Sequence, residues 1–394
     1  ASLLFTPQLY ELVAQYCGVL EFEHLRRLAH LLLELFYLGS ALRLGHLDAV
    51  AAASGLARVR GDLDDVAHAF YYCLRNYAMG LVVGVLLFAA ALTAGCGERT
   101  DDMRLLYWNI QNGMWSDQSN GYDNFVAWVK GYDPDVCVWC EAQSIYKSGT
   151  AERMDSVDRY LTANWGELAA RYGHKYWYVG GHRDNFPQVV TSKYPIENVR
   201  RIVGQAPDSI VSHGAGWARI VKNGRPVNIV TLHTWPQAYA FQAVDRDASR
   251  AEHGGDRYRR MEIEYICSHT IATQSDAGQQ LWMMMGDFNS RSRLDNRVYN
   301  YPDDDTRLLV HDYIAEHTPY VDVIAEKHPG EFHTTTHGQS RIDFVYCTQP
   351  LCERITRAEV IVDDFTEPVR DPGKLSNFYH PSDHRPILVD FDMK

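Results

Sequence analysis

From residue 103 to the end, short apolar runs alternate with segments of helical spacing. The runs at 104–110, 136–140, 189–192, 216–221 and 227–233 predict strands, as do 281–286, 342–347, 358–362 and 387–391. Helices are predicted over 122–130, over 258–273 with an apolar stripe at Met261, Tyr265 and Ile266, and over 306–316. Asp133-Pro134-Asp135 supplies a turn before the run at 136–140. Roughly 290 residues of mixed strand and helix can bury one sizeable core.

The chain changes character near residue 100. Residues 1–78 are rich in Ala and Leu, and 23–38 and 62–75 have helical apolar spacing. No lysine precedes Lys130. This extra N-terminal helical segment carries no recognisable chemistry. It is either translated upstream sequence, with Met79 the natural start, or a small helical domain. Residues 79–96 form an uncharged run that is short for a bilayer span and fits a signal-peptide apolar region better. Its end, Leu92-Thr93-Ala94-Gly95-Cys96, resembles a bacterial lipoprotein box, which implies lipidation at Cys96. Residues 97–102 then form a short tether to a catalytic domain at 103–394. The expected location is the cell envelope, lipid-anchored or exported, with the membrane contacted through the lipid and no protein partner.

Composition narrows the chemistry. With 46% hydrophobic and 22% charged residues, the chain is in the globular range. A formal net charge of −12 advertises no basic face for tight non-specific duplex binding. Cys137, Cys140, Cys267, Cys347 and Cys352 lie in the main domain with no spacing that suggests a disulfide framework. Cys137 and Cys140 form a C-x-x-C, but in an apolar run with no second ligand pair nearby, so they are expected to be core residues.

Polar residues gather where the apolar runs end. Asn109 closes one run and Glu141 follows another. His233 follows 229–232, Asp287 and Asn289 follow 282–286, Asp343 lies inside 341–345, and Asp383 and His384 precede 386–389. Strand ends in layered α/β folds are where sites are built. Carboxylate and amide oxygens suit a hard cation such as Mg²⁺ or Mn²⁺, and histidines near carboxylates suit proton transfer. The chain has no HExxH, no G-x-x-x-x-G-K-[ST] and no G-x-S-x-G. These absences exclude the corresponding zinc protease, nucleotide-triphosphate motor and serine esterase readings.

In order, the chain carries Trp108-Asn109-Ile110, Pro134-Asp135 with Glu141, Thr191-Ser192-Lys193-Tyr194-Pro195-Ile196 and His233-Thr234. Gly286-Asp287-Phe288-Asn289, Arg341-Ile342-Asp343-Phe344-Val345 and Ser382-Asp383-His384-Arg385-Pro386 follow. This series resembles the endonuclease/exonuclease/phosphatase superfamily over essentially all of 103–394. That group includes DNase I-like nucleases, abasic-site endonucleases, inositol-polyphosphate 5-phosphatases and neutral sphingomyelinases. The resemblance implies a four-layer α/β/β/α sandwich with two central mixed sheets. It also implies Mg²⁺- or Mn²⁺-dependent hydrolysis of phosphoester bonds by in-line attack of water. Glu141 would be the main metal carboxylate with Asn109 beside it, and Asp383 would complete the metal environment. Asp287, held by Asn289, would orient or deprotonate the water. His384, oriented by Asp343, would contact the phosphoryl oxygens, and His233 would stabilise developing charge or assist the leaving group. Many members have Leu-Gln-Glu where this chain has Trp139-Cys140-Glu141, so the surroundings of the glutamate differ.

Arg183, Arg291, Arg293 and Trp235 are candidates for gripping substrate, with His182 and Trp115 as further cleft candidates. His333 and His337 lie in a threonine-rich stretch that argues against a helix and are expected in a loop near the site. The substrate is a nucleic acid, a phospholipid headgroup or a sugar phosphate. The competing reading is a catalytically silent binding module on the same scaffold at an envelope surface.

Overall fold

The structure, a computed structural model, describes residues 102–156, 164–206 and 210–394. The segment 1–78, the signal-like segment 79–96 with Cys96, and the tether up to residue 101 lie outside the described residues. Arg99–Lys394 forms one compact unit. No helix among the described residues is long and apolar enough to cross a membrane.

The first half runs β1 (Asp102–Asn109), α1 (Asp123–Tyr132), β2 (Val136–Cys140), α2 (Trp165–Arg171), β3 (Tyr176–Val179), β4 (Val189–Ser192), β5 (Ile196–Ile202), β6 (Ala215–Lys222) and β7 (Arg225–His233). It continues with α3 (Arg246–Ala251), α4 (Gly254–Ser268), β8 (Leu281–Asp287), α5 (Leu309–His317), β9 (Tyr320–Asp322), α6 (Val323–Lys327), β10 (Asp343–Thr348) and β11 (Ile355–Val360). A small hairpin-like pair, β12 (Val369–Arg370) and β13 (Tyr379–His380), precedes β14 (Ile387–Asp392). One six-stranded sheet has the order β11-β14-β1-β2-β4-β3, the other β5-β6-β7-β8-β10-β9. Each has one parallel pair, β1 with β2 and β7 with β8, among antiparallel ones.

Strand alternation divides the apolar residues among three cores. Leu105, Tyr107, Val136, Val138, Ile387 and Val389 from the first sheet meet Ile220, Val227, Ile229, Met283, Met285 and Val345 from the second. The opposite face of the first sheet, with Leu106, Trp108, Cys137 and Trp139, packs on Phe125, Val129, Trp165 and Leu168 of α1 and α2. The opposite face of the second, with Val230, Leu232, Trp282, Met284 and Phe344, packs on Ile263, Ile266, Val310 and Ile314 of α4 and α5. Successive strand residues face opposite sides, so these lists give helix, sheet, sheet and helix in four layers. The sandwich expected from the sequence is the architecture observed.

Alternation also disposes of the C-x-x-C. Cys137 faces the helices and Cys140 the inter-sheet core, so the two thiols point to opposite faces of one strand. Both are free and fully buried, and burial raises both thiol pKa values well above the ordinary range. The stripe expected on α4 is rotated. Glu262, Ile263, Ile266 and Cys267 are buried, whereas Met261 and Tyr265 are only half-buried.

The Arg341 of the Arg341-Ile342-Asp343 motif is a structural anchor. Its Nε meets Asp295 Oδ2 at 2.7 Å, and its two terminal nitrogens meet the Asp322 carboxylate at 3.0 and 2.7 Å, all three residues being buried. This clasp joins β9 to the segment entering β10. Arg341→Ala leaves two buried carboxylates unpaired, and we expect a loss of about 3–5 kcal/mol in stability. Urea unfolding checks it; an unchanged midpoint would remove the clasp from the account.

Candidate active site

The inter-sheet faces continue into the site. In β1 the inward positions 103, 105 and 107 lead to Asn109. In β7, Val227 and Ile229 lead through Thr231 to His233; in β8, Met283 and Met285 lead to Asp287; in β10, Cys347 and Val345 lead to Asp343. The register sets His233 beside Asp287, and Asp287 beside Asp343. Gly286 allows this approach, since a Cβ there would lie 2.1 Å from the Leu232 carbonyl oxygen.

Glu141 breaks the alternation. One residue past β2, a continued strand would turn it toward the helices, but its φ of 55° is left-handed and redirects it. Its Oε2 accepts from the Asn112 backbone N–H at 2.8 Å, and its Oε1 lies 3.4 Å from Asn109 Nδ2. Asn109 Nδ2 also donates to Asp287 Oδ2 at 3.1 Å, while its Oδ1 accepts from the Gln111 N–H at 3.1 Å. Asn109 therefore stands beside Glu141 as expected but offers the crevice its nitrogen. Its oxygen accepts one backbone N–H and keeps its second lone pair, the one a metal-ligand role would use.

Asp287 Oδ1 accepts from the Asn289 N–H at 2.9 Å, and the Asn289 side chain donates to the Thr234 carbonyl at 3.1 Å. Asp287 Oδ2 lies 3.8 Å from both His384 Nε2 and His233 Nε2. One carboxylate oxygen is thus ringed by three nitrogens from three segments. His384 Nδ1 is bonded to Asp343 Oδ2 at 2.7 Å, and Tyr107 donates across the sheets to Asp343 Oδ1 at 2.7 Å. Asp343 binds Nδ1, so Nε2 is the nitrogen turned toward Asp287 and toward Asp383 Oδ1, 3.9 Å away. Ser382 holds this segment to the end of β1 through the Asn109 carbonyl at 2.7 Å.

The electrostatics follow from burial. Burial, then Asp383, raises the Glu141 pKa; burial, then Asp343, raises that of Asp287; burial raises that of Asp383. For His384 burial opposes the charge, but Asp343 and Asp383 outweigh it and hold the imidazole well above its ordinary value. His233 goes the other way: burial, then His213 and His384, push it well below. Four carboxyl groups, Asp287 and Asp343 buried and Glu141 and Asp383 half-buried, surround one imidazolium, so their negative charge exceeds its positive charge. A hard divalent cation offsets such an excess, and carboxylate oxygens are its preferred donors, so the residues fit one. Asp287, Asp343 and His384 bring potential ligand atoms within 4.8 Å of one another.

Two supporting residues were not among the candidates read from the sequence. His213 stacks on His233 with ring centroids 4.2 Å apart and bonds through Nδ1 to the Asn185 carbonyl at 3.2 Å. Glu262 of α4 accepts from the N–H and Oγ of Ser212 at 2.7 and 2.6 Å and from the Trp235 N–H at 2.8 Å. It ties the segments bearing His213 and His233 together, with its own pKa raised to about 7 by burial. Glu262 in a helix stripe was the one available hint.

The substrate candidates divide. Trp235 lies 6.2 Å, centroid to centroid, from His213 and donates to the Tyr239 carbonyl. Arg183 is exposed and Arg291 partly exposed. Arg293 is committed elsewhere, forked onto Asp312 at 2.9 and 2.7 Å. His182 bonds the Val211 carbonyl, and Trp115 is buried against Phe378, bonded to Gln111. His337 is in a loop against the site, its N–H donating to the Asp383 carbonyl at 2.9 Å.

Residues 106–384 match the sequence profile of the Endonuclease/Exonuclease/phosphatase family. The chain belongs to that family. No curated protein matches it in sequence. In fold, this family member is similar to an AP endonuclease from Archaeoglobus fulgidus, at 17% identity and a TM-score of 0.51, over 74% of this chain and 99% of that one. The human nocturnin catalytic domain (14% identity, TM-score 0.47, 75% and 94% covered) and a 3′ phosphatase from Neisseria (14%, 0.48, 74% and 99%) are also similar.

The Asp343–His384 bond gives a titration test. The folded pKa of His384 is raised, so its protonated pairing stabilises fully below the unfolded value, about 6.5, and is lost as pH rises through the folded value. In chelator-treated Asp343→Asn the His384 midpoint, followed by NMR, should fall. An unmoved midpoint would show that Asp343 does not hold the charge.

Proposed function

We propose that the protein hydrolyses phosphoester bonds, water attacking phosphorus in line with the leaving oxygen, with Mg²⁺ or Mn²⁺ as cofactor. The observation that carries this is the Asp287 Oδ2, 3.1 Å from Asn109 Nδ2 and 3.8 Å from the Nε2 of both His384 and His233. Membership of the family supports the reading, as does the fold shared with a protein named an AP endonuclease.

Asp287 is placed to orient a water and take its proton. Burial and Asp343 raise its proton affinity, which suits a general base near neutral pH. Asn109 and the Asn289 N–H hold its two oxygens, so its orientation is fixed before substrate arrives. His384, kept charged by Asp343, turns Nε2 toward the space where equatorial phosphoryl oxygens would gather charge. His233, kept neutral by burial and His213, offers Nε2 3.8 Å from the same Asp287 oxygen, suited to a leaving-group oxygen. Glu141 and Asp383 would hold the cation, which when bound neutralises charge on the phosphoryl oxygens. Nucleic acid, phospholipid headgroups and sugar phosphates all present this group.

Bis-p-nitrophenyl phosphate should be turned over with Mg²⁺ or Mn²⁺ and not with chelator. Asp287→Ala and His384→Ala should each lower kcat by about 10²-fold or more. Folded, metal-supplied protein inert toward plasmid DNA, RNA, sphingomyelin and phosphomonoesters alike would favour a silent binding module instead.

The sequence 79–96 supports a second proposal, that the enzyme is held at a bacterial envelope through a lipidated Cys96. Mass analysis of membrane-fraction protein should find a chain beginning at acylated Cys96; an intact chain beginning at residue 1 would refute it.

A further inference from the structure

A second cluster of metal-ligating side chains lies outside the crevice. His328 caps the end of α6 and opens the turn His328-Pro329-Gly330-Glu331. Gly330 has φ 78°, and the Glu331 N–H donates to the His328 carbonyl at 3.0 Å, the pattern of a type II turn with Pro and Gly at its centre. The turn folds Glu331 back beside His328, and His333 follows two residues later. Glu331 Oε2 lies 3.3 Å from His333 Nε2 and 3.9 Å from His328 Nδ1. One ligand atom from each residue falls within 4.8 Å of the others.

The imidazoles are set up for a metal. His328 Nε2 lies 2.7 Å from the Ala358 carbonyl, which only accepts, so Nε2 carries the hydrogen and Nδ1 the lone pair. A ring N–H on a backbone carbonyl is the usual support behind a metal-bound histidine. His333 Nε2 is shielded from solvent, with Glu331 Oε2 as its polar neighbour at 3.3 Å. Tetrahedral coordination with bonds of about 2.05 Å places ligand atoms about 3.3 Å apart; the Glu331–His333 pair already has this spacing, the Glu331–His328 pair stands at 3.9 Å, and all three lie within 4.8 Å.

We propose that His328 Nδ1, Glu331 Oε2 and His333 Nε2 form a second metal site, for a divalent transition metal of the Zn²⁺ class, with water completing the shell. Two imidazoles and one carboxylate suit Zn²⁺, whereas the carboxylate-rich crevice suits Mg²⁺ or Mn²⁺. The site acts as a clamp. Two residues beyond His333, Thr335 Oγ1 accepts from the N–H groups of Ile342 and Asp343 at 3.1 and 3.2 Å. The Thr335 carbonyl accepts from the Arg385 N–H at 2.7 Å, and Thr336 pairs with His384. A bound ion joins the end of α6 to the loop that seats Asp343 and His384.

The test is titration of the full chain with Zn²⁺ in millimolar Mg²⁺, followed by calorimetry, with Co²⁺ as an optical probe. Wild type should bind one Zn²⁺ at this site and give the visible bands of four-coordinate Co²⁺. Loss of a supporting residue alone weakens metal binding about 10- to 100-fold, so His333→Ala and Glu331→Ala should weaken it at least about 10-fold and abolish the bands. Glu331 is largely exposed, so its variant should keep the fold, checked by circular dichroism. Glu141→Gln should leave this binding intact. Absence of Zn²⁺ binding in wild type, its survival in both clamp variants, or its loss in Glu141→Gln would each overturn the proposal.

Discussion

Everything in the site depends on two sheets being pressed face to face. The alternation that buries Leu105, Tyr107, Met283, Met285 and Val345 does not stop where the apolar residues do. It carries on to Asn109, Asp287, His233 and Asp343, which inherit inward positions at the strand ends. Polar groups are thereby forced into a poorly hydrated gap, where each must find a partner. The partners are one another: Tyr107 reaches across to Asp343, and Asn109 across to Asp287. Coupling between the sheets and coupling within the site are the same set of bonds.

That enclosure also explains the charge states. In water the four acids would all ionise and the histidines would titrate near neutrality. In the gap, His384 with Asp343 at 2.7 Å holds its proton, while His233 beside two imidazoles loses it. Two chemically identical rings are separated into a charged and a neutral role by their neighbours alone. His213 and Glu262 contribute without facing the crevice oxygens, by fixing where His233 can be.

The central strands were legible because they are buried: β2 and β4 have the expected bounds, and β1, β7, β8 and β10 differ by a residue or two at their ends. The strands that escaped, β3, β5 and β9, lie at sheet edges, and β12 and β13 are two-residue strands paired only with each other. In β5, Glu197, Val199, Arg200 and Arg201 are all exposed, so no alternation marks it. The polar residues at strand ends were legible as a group, but not their geometry. Glu141 reaches the site only through a left-handed backbone, and Asn109 spans the gap to Asp287 through its amide nitrogen. Arg341 and Arg293 look alike beside their motifs. Only the folded arrangement shows that one is buried in a clasp and the other turned to Asp312 on the surface.

The run Met283-Met284-Met285 lies directly beneath Asp287, and its first and third members face the opposite sheet. Thioether side chains are unbranched and repack at little cost. The half of the crevice carried by β8 therefore rests on a compliant layer, and the half carried by β1 on Leu105 and Tyr107. Relatives could widen or narrow the gap between the halves by exchanging buried apolar residues, altering which phosphorylated molecules fit without touching a single reactive group.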